Sequence, residues 1–413
     1  MKSNNLSELS DLSGRNWSWV KLGEVCETTS GGTPSRKNPK YYDGKIPWIK
    51  SGELNFNTIR DSEEKITADA IENSNAKILE KGTLLIALYG ATVGRLAFLG
   101  IEAATNQAVA AIFTPKNLSS KFLYWFLFSY REKLLTQRIG GAQPNISQGT
   151  LRNIPIPLPP LAEQKKIVEK IEELFSGLDS GVASLKKAKE QIKLYRQSVL
   201  VSAFSGKLTT KFTKNTENLS ELSVLSGLPH GWKWVKLGEV TNNFDGQRIP
   251  LSKEVRAKRK GEYRYFGATE IIDYIDDYIF DGTYLLIGED GANLLSKSRP
   301  LSFIVDGKFW VNNHAHVLQT KNGLKIKYLN YFFNSISLGS YVTGSAQPKL
   351  TQKNLNKIPL PLAPLNQQTQ IVSEIEKRFS EADNLEKAID DSLEKSEALR
   401  QSILKQAFEG RLV

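Results

Sequence analysis

The stretch AQPNISQGTLRNIPIPLPPLAEQKKIV occupies residues 142–168, and residues 346–372 answer it with AQPKLTQKNLNKIPLPLAPLNQQTQIV. The two align without a gap at an offset of 204 residues. The match runs on to RQSVLVSAFSGKL (196–208) and RQSILKQAFEGRL (400–412). A second pair, WSWVKLGEV at 17–25 and WKWVKLGEV at 232–240, stands well upstream of each copy. A period near 200 residues is far too long for a solenoid, whose repeats run to about 20–50 residues. One complete unit has been made twice.

Each copy opens with extended, proline-rich chain, IPIPLPPL or IPLPLAPL. Every proline removes a backbone donor and disfavours helix in the residue before it. Helix becomes possible only after Pro160 and Pro364. Beyond them the chain keeps a seven-residue apolar beat: Ile171, Leu178, Leu185, Ile192 and Val199, with Val168, Phe175 and Val182 between them. The second copy gives Ile375, Ala382, Ile389, Ser396 and Ile403, with Val372, Phe379, Leu393 and Ala407 between. Five heptads in a row predict a coiled-coil seam, ending where Gly206 and Gly410 suit a C-terminal cap.

Charge selects the partner of each helix. Residues 155–210 hold 9 Lys and Arg against 6 Asp and Glu, whereas 359–413 hold 7 against 10. Like helices would repel and unlike helices attract, so the two are expected to pair within one chain. Because the first leads out of one domain and the second leads back, a pseudo-twofold arrangement makes them antiparallel, with the domains at opposite ends of a rod. The expected fold class is α+β: two similar globular α/β domains separated by two long helices in an antiparallel intramolecular coiled coil. The expected boundaries are an N-terminal segment 1–16, a first domain 17–154, a central helical spacer 155–208, a linker 209–231, a second domain 232–358 and a C-terminal helical spacer 359–413.

Both globular regions are basic. Residues 17–154 carry 17 Lys and Arg against 12 Asp and Glu, and 232–358 carry 18 against 12, within a net charge of +11. A polyanion partner is the reading this favours. No run of about 18 apolar residues predicts a membrane span, and MKSNNLSELSDLSG lacks the apolar centre of a secretory signal. A single cysteine, Cys26, cannot form an internal disulfide. The expected location is therefore the cytoplasm.

Landmarks survive between the two globular regions. KGTLLIALYGAT (81–92) corresponds to DGTYLLIGEDGAN (281–293), each a buried strand followed by a glycine-containing turn. IPWIKSGEL (46–54) corresponds to YRYFGATEI (263–271), and TNQAVAAI (105–112) to NNHAHVLQ (312–319). The polar loops between them differ: GGTPSRKNPKYYDGK (31–45) faces DGQRIPLSKEVRAKRKGEYR (245–264). A scaffold kept while its loops change points to two binding sites with two specificities.

These blocks, with the doubled LPPLAEQKKIV-like signature, YGATVGRLA…NQAVAA and FWVNNHAHVL, resemble the specificity subunits of type I restriction–modification systems, from Trp17 to Leu412. The resemblance implies a non-catalytic DNA-recognition subunit. Each of its domains would read one half of a bipartite, asymmetric target in double-stranded DNA, with the helices as the ruler between them. It also implies modification subunits, two of them expected, that methylate adenine at N6 with S-adenosylmethionine, and restriction subunits that use ATP and Mg2+. No cofactor is expected in this chain. The alternatives are a coiled-coil adaptor that binds only proteins and a degenerate DNA methyltransferase.

Catalytic signatures are sparse. NPKYY at Asn38 lacks the second proline of the run with which an adenine methyltransferase holds its flipped base. Gly-Lys occurs at 44–45, 206–207 and 307–308, never followed by Ser or Thr as a phosphate loop requires. No Pro-Asp dipeptide occurs. His314 and His316 share one face of a strand; packing or hydrogen bonding is the preferred role over a metal site. Cys26 reads as buried filler.

Lysine and arginine should position the DNA through phosphates, and loop side chains should meet base edges. In the first domain the candidates are Thr33, Ser35, Arg36 and Lys37, then Lys50 and Ser51, and the turn with Tyr89, Thr92 and Arg95. In the second they are Arg248, Lys253, Arg256, Lys258, Arg259, Lys260 and Arg264, then Asn293, Lys297 and Arg299. Gln143, Asn145, Gln347 and Lys349 flank the junctions and are candidates for the DNA backbone. Ser147 and Thr351 can cap the short helices after them.

Overall fold

Two helices of 44 residues, Leu161–Phe204 and Leu365–Phe408, begin directly after Pro160 and Pro364. The computed structural model that contains them describes residues 17–136, 145–206, 208, 228–344 and 347–413. Each helix is followed by a glycine of positive φ, Gly206 at 74° and Gly410 at 71°, a conformation that glycine adopts without a Cβ clash. The chain divides into two units. One is Met1–Leu185 together with Asp391–Val413, and the other is Lys186–Asp390. The first unit is therefore discontinuous in sequence, and each unit holds the start of one long helix and the end of the other.

In the first unit a five-stranded sheet runs Glu27–Ser30, Val109–Phe113, Leu84–Ala87, Leu96–Leu99 and Asn57–Ile59. A three-stranded sheet runs Glu64–Ile66, Tyr42–Ile49 and Ala104–Thr105. The fully buried strand Leu84–Ala87 is the centre of the larger sheet, as its uninterrupted apolar run predicts. The second unit repeats the plan. One four-stranded sheet is centred on Tyr284–Gly288 and Ala315–Thr320; another orders Ile271–Ile275, Lys260–Phe266, Lys308–Val311 and Phe280–Asp281. In both units one strand, Tyr42–Ile49 or Lys260–Phe266, has an antiparallel neighbour on one side and a parallel one on the other.

The duplicated stretch is a clamp. Its proline-rich part is a strand, Pro155–Leu158 or Pro359–Leu362, paired with Ser18–Lys21 or Lys233–Lys236 in the same register, Trp19 opposite Pro157 and Trp234 opposite Pro361. A two-stranded ribbon tolerates prolines because half of each strand's donors need no partner. These residues close the globular part of each unit ahead of the helix. The tryptophan just before the first strand of each ribbon then reaches the helix itself: Trp17 Nε1 donates to Glu163 at 3.2 Å and Trp232 Nε1 to Gln367 at 2.6 Å. Ser147 accepts from Thr150 N and Thr351 from Asn354 N, capping the short helices Gln148–Arg152 and Gln352–Leu355 as expected.

One buried glutamine per unit completes the joint. Gln164 donates to the carbonyls of Asn117 and Pro159 at 3.0 and 2.8 Å and accepts from Ser119 N at 2.8 Å. Gln368 donates to the carbonyls of Gly323 and Ala363 and accepts from Lys325 N at 2.8 Å. Both are almost completely buried, so leucine in their place would strand two carbonyls and one N–H. Each stranded group costs on the order of 1 kcal/mol or more. Gln164→Leu should therefore destabilise the first unit by about 3 kcal/mol while leaving the melting transition of the second in place, and Gln368→Leu should do the reverse. Calorimetry of the two variants checks this.

The far ends of the helices are plugs. Phe408 packs edge-on against Phe122 and Phe126 of the helix Ser120–Thr136, with centroids 5.4 and 5.3 Å apart. Phe204 packs the same way on Tyr328 and Phe332 of Ile326–Ser335, at 5.0 and 5.5 Å. Within each unit the helices are antiparallel. In the second, Lys189 pairs with Asp390, and Arg196 with Asp383 and Glu386. In the first, Arg400 pairs with Asp179 and lies 4.9 Å over the Phe175 ring.

The seam differs from an unbroken apolar stripe. Ile171, Ile192, Val199, Ile375 and Ile403 are buried, but Leu178, Val182, Leu185, Ile389 and Leu393 are only partly so. Ion pairs replace close apolar packing along the middle heptads. Pairs so exposed contribute little stability each, roughly 0–1 kcal/mol; they select the partner and its direction.

Candidate nucleic-acid interface

In the first unit Trp48 stands on the middle strand directly opposite Glu64 on the neighbouring strand. Its indole donates to the Gly32 carbonyl at 3.0 Å, and the Tyr42 hydroxyl donates to the Pro34 carbonyl at 2.6 Å. The loop carrying Thr33, Ser35, Arg36 and Lys37 is thereby pinned at two points. Arg36 lies over the Tyr42 and Trp48 rings at 4.4 and 5.2 Å and pairs with Glu64 at 2.7 Å. Lys50 reaches the same carboxylate at 3.1 Å and Glu63 at 2.9 Å. The hydrogen bond from Arg36 holds the Glu64 carboxyl below its usual range, and hydrogen bonds to Glu63 and Glu64 raise the pKa of Lys50. Arg36, Lys50 and Glu64 are therefore all charged at neutral pH.

The remaining candidates of this unit surround that arrangement. Thr33 is hydrogen-bonded to Gln107. Ser35 and Lys37 are exposed, and Ser51 opens the short 3-10 helix Ser51–Glu53. Tyr89, Thr92 and Arg95 lie in the turn after the central strand, where the Thr92 hydroxyl donates to the Tyr89 carbonyl at 2.9 Å. Tyr89 bridges to Asn145, so two candidates from distant sequence meet. Gln143 lies outside the described residues.

The second unit builds the same motif from other residues. Tyr265 stands directly opposite Asp273, and its hydroxyl accepts from Leu251 N at 2.9 Å. Trp310 donates to the Ile249 carbonyl at 2.6 Å. Arg256 lies 5.1 Å over the Tyr265 ring and pairs with Asp273 at 3.2 Å, and Lys260 reaches Asp273 at 2.5 Å. The hydrogen bond from Lys260 leads the causes that hold Asp273 below its usual pKa. An aromatic, an arginine, a lysine and one shared carboxylate thus recur; Trp48 and Tyr265 hold the same place in a matched pair of blocks, whereas the arginine, the lysine and the carboxylate do not align.

The segment expected as a basic loop, 245–264, is folded. It contains the 3-10 turn Asp245–Gln247, a helix Lys253–Lys258 capped by Ser252, and the start of the strand Lys260–Phe266. Most of its RAKRK charge is neutralised locally: Arg259 pairs with Asp276 at 2.8 Å and lies over Trp310. Lys253 and Lys258 are exposed on the helix. Arg264 donates to the Asp306 carbonyl. Asn293 spends its side chain on its own turn, bonding Arg299 N at 2.8 Å. Lys297, whose pKa burial lowers, donates to the Asn334 carbonyl at 3.2 Å, and Arg299 pairs with Glu270. Gln347 is exposed.

Arg248 is placed inward, in contrast to the expectation of a surface cation. Its side chain is only 12% exposed, 2.6 Å from Glu289 and 2.7 Å from the Ala315 carbonyl. Around it, Asp245 contacts His316 Nδ1 at 2.6 Å, His316 Nε2 donates to the Leu350 carbonyl, and Lys349 pairs with Glu289 at 3.2 Å. Burial works to raise the pKa of Asp245, but the bonds from His316, Val317 N and Asn243 outweigh it, and the net shift is downward. Asp245, Glu289 and His316 bring potential ligand atoms within 4.8 Å of one another, yet the cations that meet their charge are Arg248 and Lys349. His314 turns elsewhere, to Asp290 at 2.8 Å. In the first unit Leu88 and Ala110 hold the places of Glu289 and His316, as the strand register shows. The acids in GED and the histidines in NNHAHV, where the other copy reads ALY and NQAVAA, were the available signal for this cluster. Cys26 is buried, and burial pushes its thiol up to about 11.

The family model described as the type I restriction modification DNA specificity domain matches residues 14–194 and again 229–395. The chain belongs to this family. Members of it recognise DNA for a restriction–modification complex and are not its catalytic components. The EcoDI specificity subunit of Escherichia coli is 25% identical over 96% of this chain and 88% of its own length. Among solved structures, a chain from a study of complex assembly and conformational transition in a type I R-M system matches with a TM-score of 0.72, at 20% identity, over 96% of this chain and 98% of that one. The HsdS subunit of Thermoanaerobacter tengcongensis matches with a TM-score of 0.59, at 21% identity, over 96% and 97%. The specificity-domain match covers both copies of the clamp strand, and no helix among the described residues is long and apolar enough to cross a membrane.

Proposed function

We propose that this chain is the DNA-reading subunit of a type I restriction–modification complex, each globular domain reading one half of a bipartite target. The observation that carries this reading is one fold made twice, with the framework kept and the segments 31–45 and 245–264 changed in sequence and structure. The long helices set the distance between the two half-sites and dock the modification subunits. Those subunits, two in number, would supply adenine N6 methylation with S-adenosylmethionine, and restriction subunits would add ATP- and Mg2+-dependent cleavage.

Within this chain the chemistry is recognition. Lys37, Lys253 and Lys258 are candidates to meet phosphates, and the pinned loops with Thr33, Ser35 and the Tyr89–Arg95 turn to meet base edges. The test is to map methylated adenines in DNA from cells that carry the complete system, with and without this subunit. A split sequence with two defined halves and an unspecified spacer is expected, and its absence when the subunit is deleted. Methylation that persists unchanged without this chain would overturn the reading.

A further inference from the structure

Glu64 and Asp273 hold equivalent places in the two units, although neither lies in a matched block of sequence. Each faces the pinned aromatic of the neighbouring strand, and each is gripped by one arginine and one lysine from different segments. A carboxylate between a guanidinium and an ammonium presents oxygens to them much as a DNA phosphate would. We propose that Glu64 and Asp273 are specificity-determining residues, internal stand-ins for phosphate that withhold Arg36 and Lys50, or Arg256 and Lys260, from indiscriminate contact with the DNA backbone. This rests on the DNA-reading function proposed above.

The carboxylate has two effects of opposite consequence for the two kinds of DNA. It neutralises cations that any duplex would attract, which weakens non-specific binding. It also fixes Arg36 over Tyr42 and Trp48, rings that pin the Pro34 and Gly32 carbonyls of the reading loop, and so it supports specific binding. Loss of the acid should raise the first and not the second. The first unit will show the larger change, because the Arg36 side chain is 55% exposed and free to swing out, whereas that of Arg256 is 15% exposed. In the second unit Lys260, at 61%, is the cation to be released.

The experiment uses the full chain, Glu64→Gln and Asp273→Asn, each near-isosteric, with fluorescence anisotropy on a duplex of unrelated sequence and on one carrying the mapped target. Glu64→Gln should bind the unrelated duplex on the order of fivefold more tightly at about 0.1 M salt, with the log–log salt slope steeper by about one to two units. Affinity for the target should stay level or fall, so that the specificity ratio drops. Adding Arg36→Ala and Lys50→Ala to Glu64→Gln should abolish the gain. An equal rise on both duplexes, no rise, or a gain that survives removal of Arg36 and Lys50 would overturn the proposal. If the wild-type chain failed to prefer its target, the functional reading itself would fall, a result separate from any of these.

Discussion

A chain that ends at Asp390 should lose its first recognition unit and keep its second. The last 23 residues, Asp391–Val413, belong to the unit whose other part is Met1–Leu185. They deliver Ile403, Leu404, Ala407 and Phe408, all buried, into the same cluster as Phe122, Phe126, Ile167, Ile171 and Phe175. Cutting a buried isoleucine, leucine or phenylalanine back to alanine costs about 2–5 kcal/mol each, so removing all three costs at least about 6 kcal/mol. Domains are stable by about 5–15 kcal/mol, and the first unit should not survive the loss as a folded body. The second ends at Asp390 and keeps its own plug, Phe204 on Tyr328 and Phe332.

Calorimetry should show one transition in place of two. Limited proteolysis should cut within residues 17–154 and spare 232–358. Phe408→Ala alone should cost the first unit about 3–5 kcal/mol. Two intact transitions in the truncated chain would show that the tail is dispensable.

The second large effect is a change of half a target. Replacing residues 241–355 with the equivalent region of a relative leaves in place the Lys233–Lys236 and Pro359–Leu362 ribbon and Trp232 on Gln367, and keeps Gln368 to meet the backbone that replaces Gly323 and Lys325. The incoming domain thus meets the joint it needs, since LGEV before it recurs at 22–25 and 237–240. Each wrong base pair costs about 1–3 kcal/mol, so three replaced positions should weaken binding to the original half on the order of a hundredfold or more. Mapping methylated adenines should return one new half and one unchanged half. Both halves changing together would refute independent readers.

The clamp was legible because it lies within the duplicated stretch. Glu163 and Gln367, Gln164 and Gln368, and the last proline before each helix stand at the constant offset of 204. The central strands were legible too, because LLIA and YLLIG are apolar without interruption. The shared carboxylates were not. Glu64 is 28 residues from Arg36, and Asp273 is 17 from Arg256; only the strand register brings them together, and register depends on the whole sheet. A basic run such as RAKRK therefore reads as free charge until its acids are located. Arg248 misled for the same reason. An arginine in a loop looks exposed, but Glu289 and His316 make a polar hollow for it where the first copy is filled by Leu88 and Ala110. The partly buried heptads around Leu178, Val182 and Leu185 show the limit of periodicity, which gives the face of a helix and not how closely it is packed.

The division of the chain also has a consequence in time. During synthesis the N-terminal domain of a protein ordinarily finishes folding first, because its residues leave the ribosome first. Here that order is reversed. The second unit is an insertion within the first and has all its residues once Asp390 has emerged, whereas the first waits for Ile403, Leu404, Ala407 and Phe408. At about 5–20 residues per second, the interval from residue 185 to residue 408 is on the order of ten seconds or more. Throughout it Phe122, Phe126 and Phe175 lack the helix end that covers them. The half that is made first is the half that is finished last, and it is the one that depends on synthesis reaching Phe408.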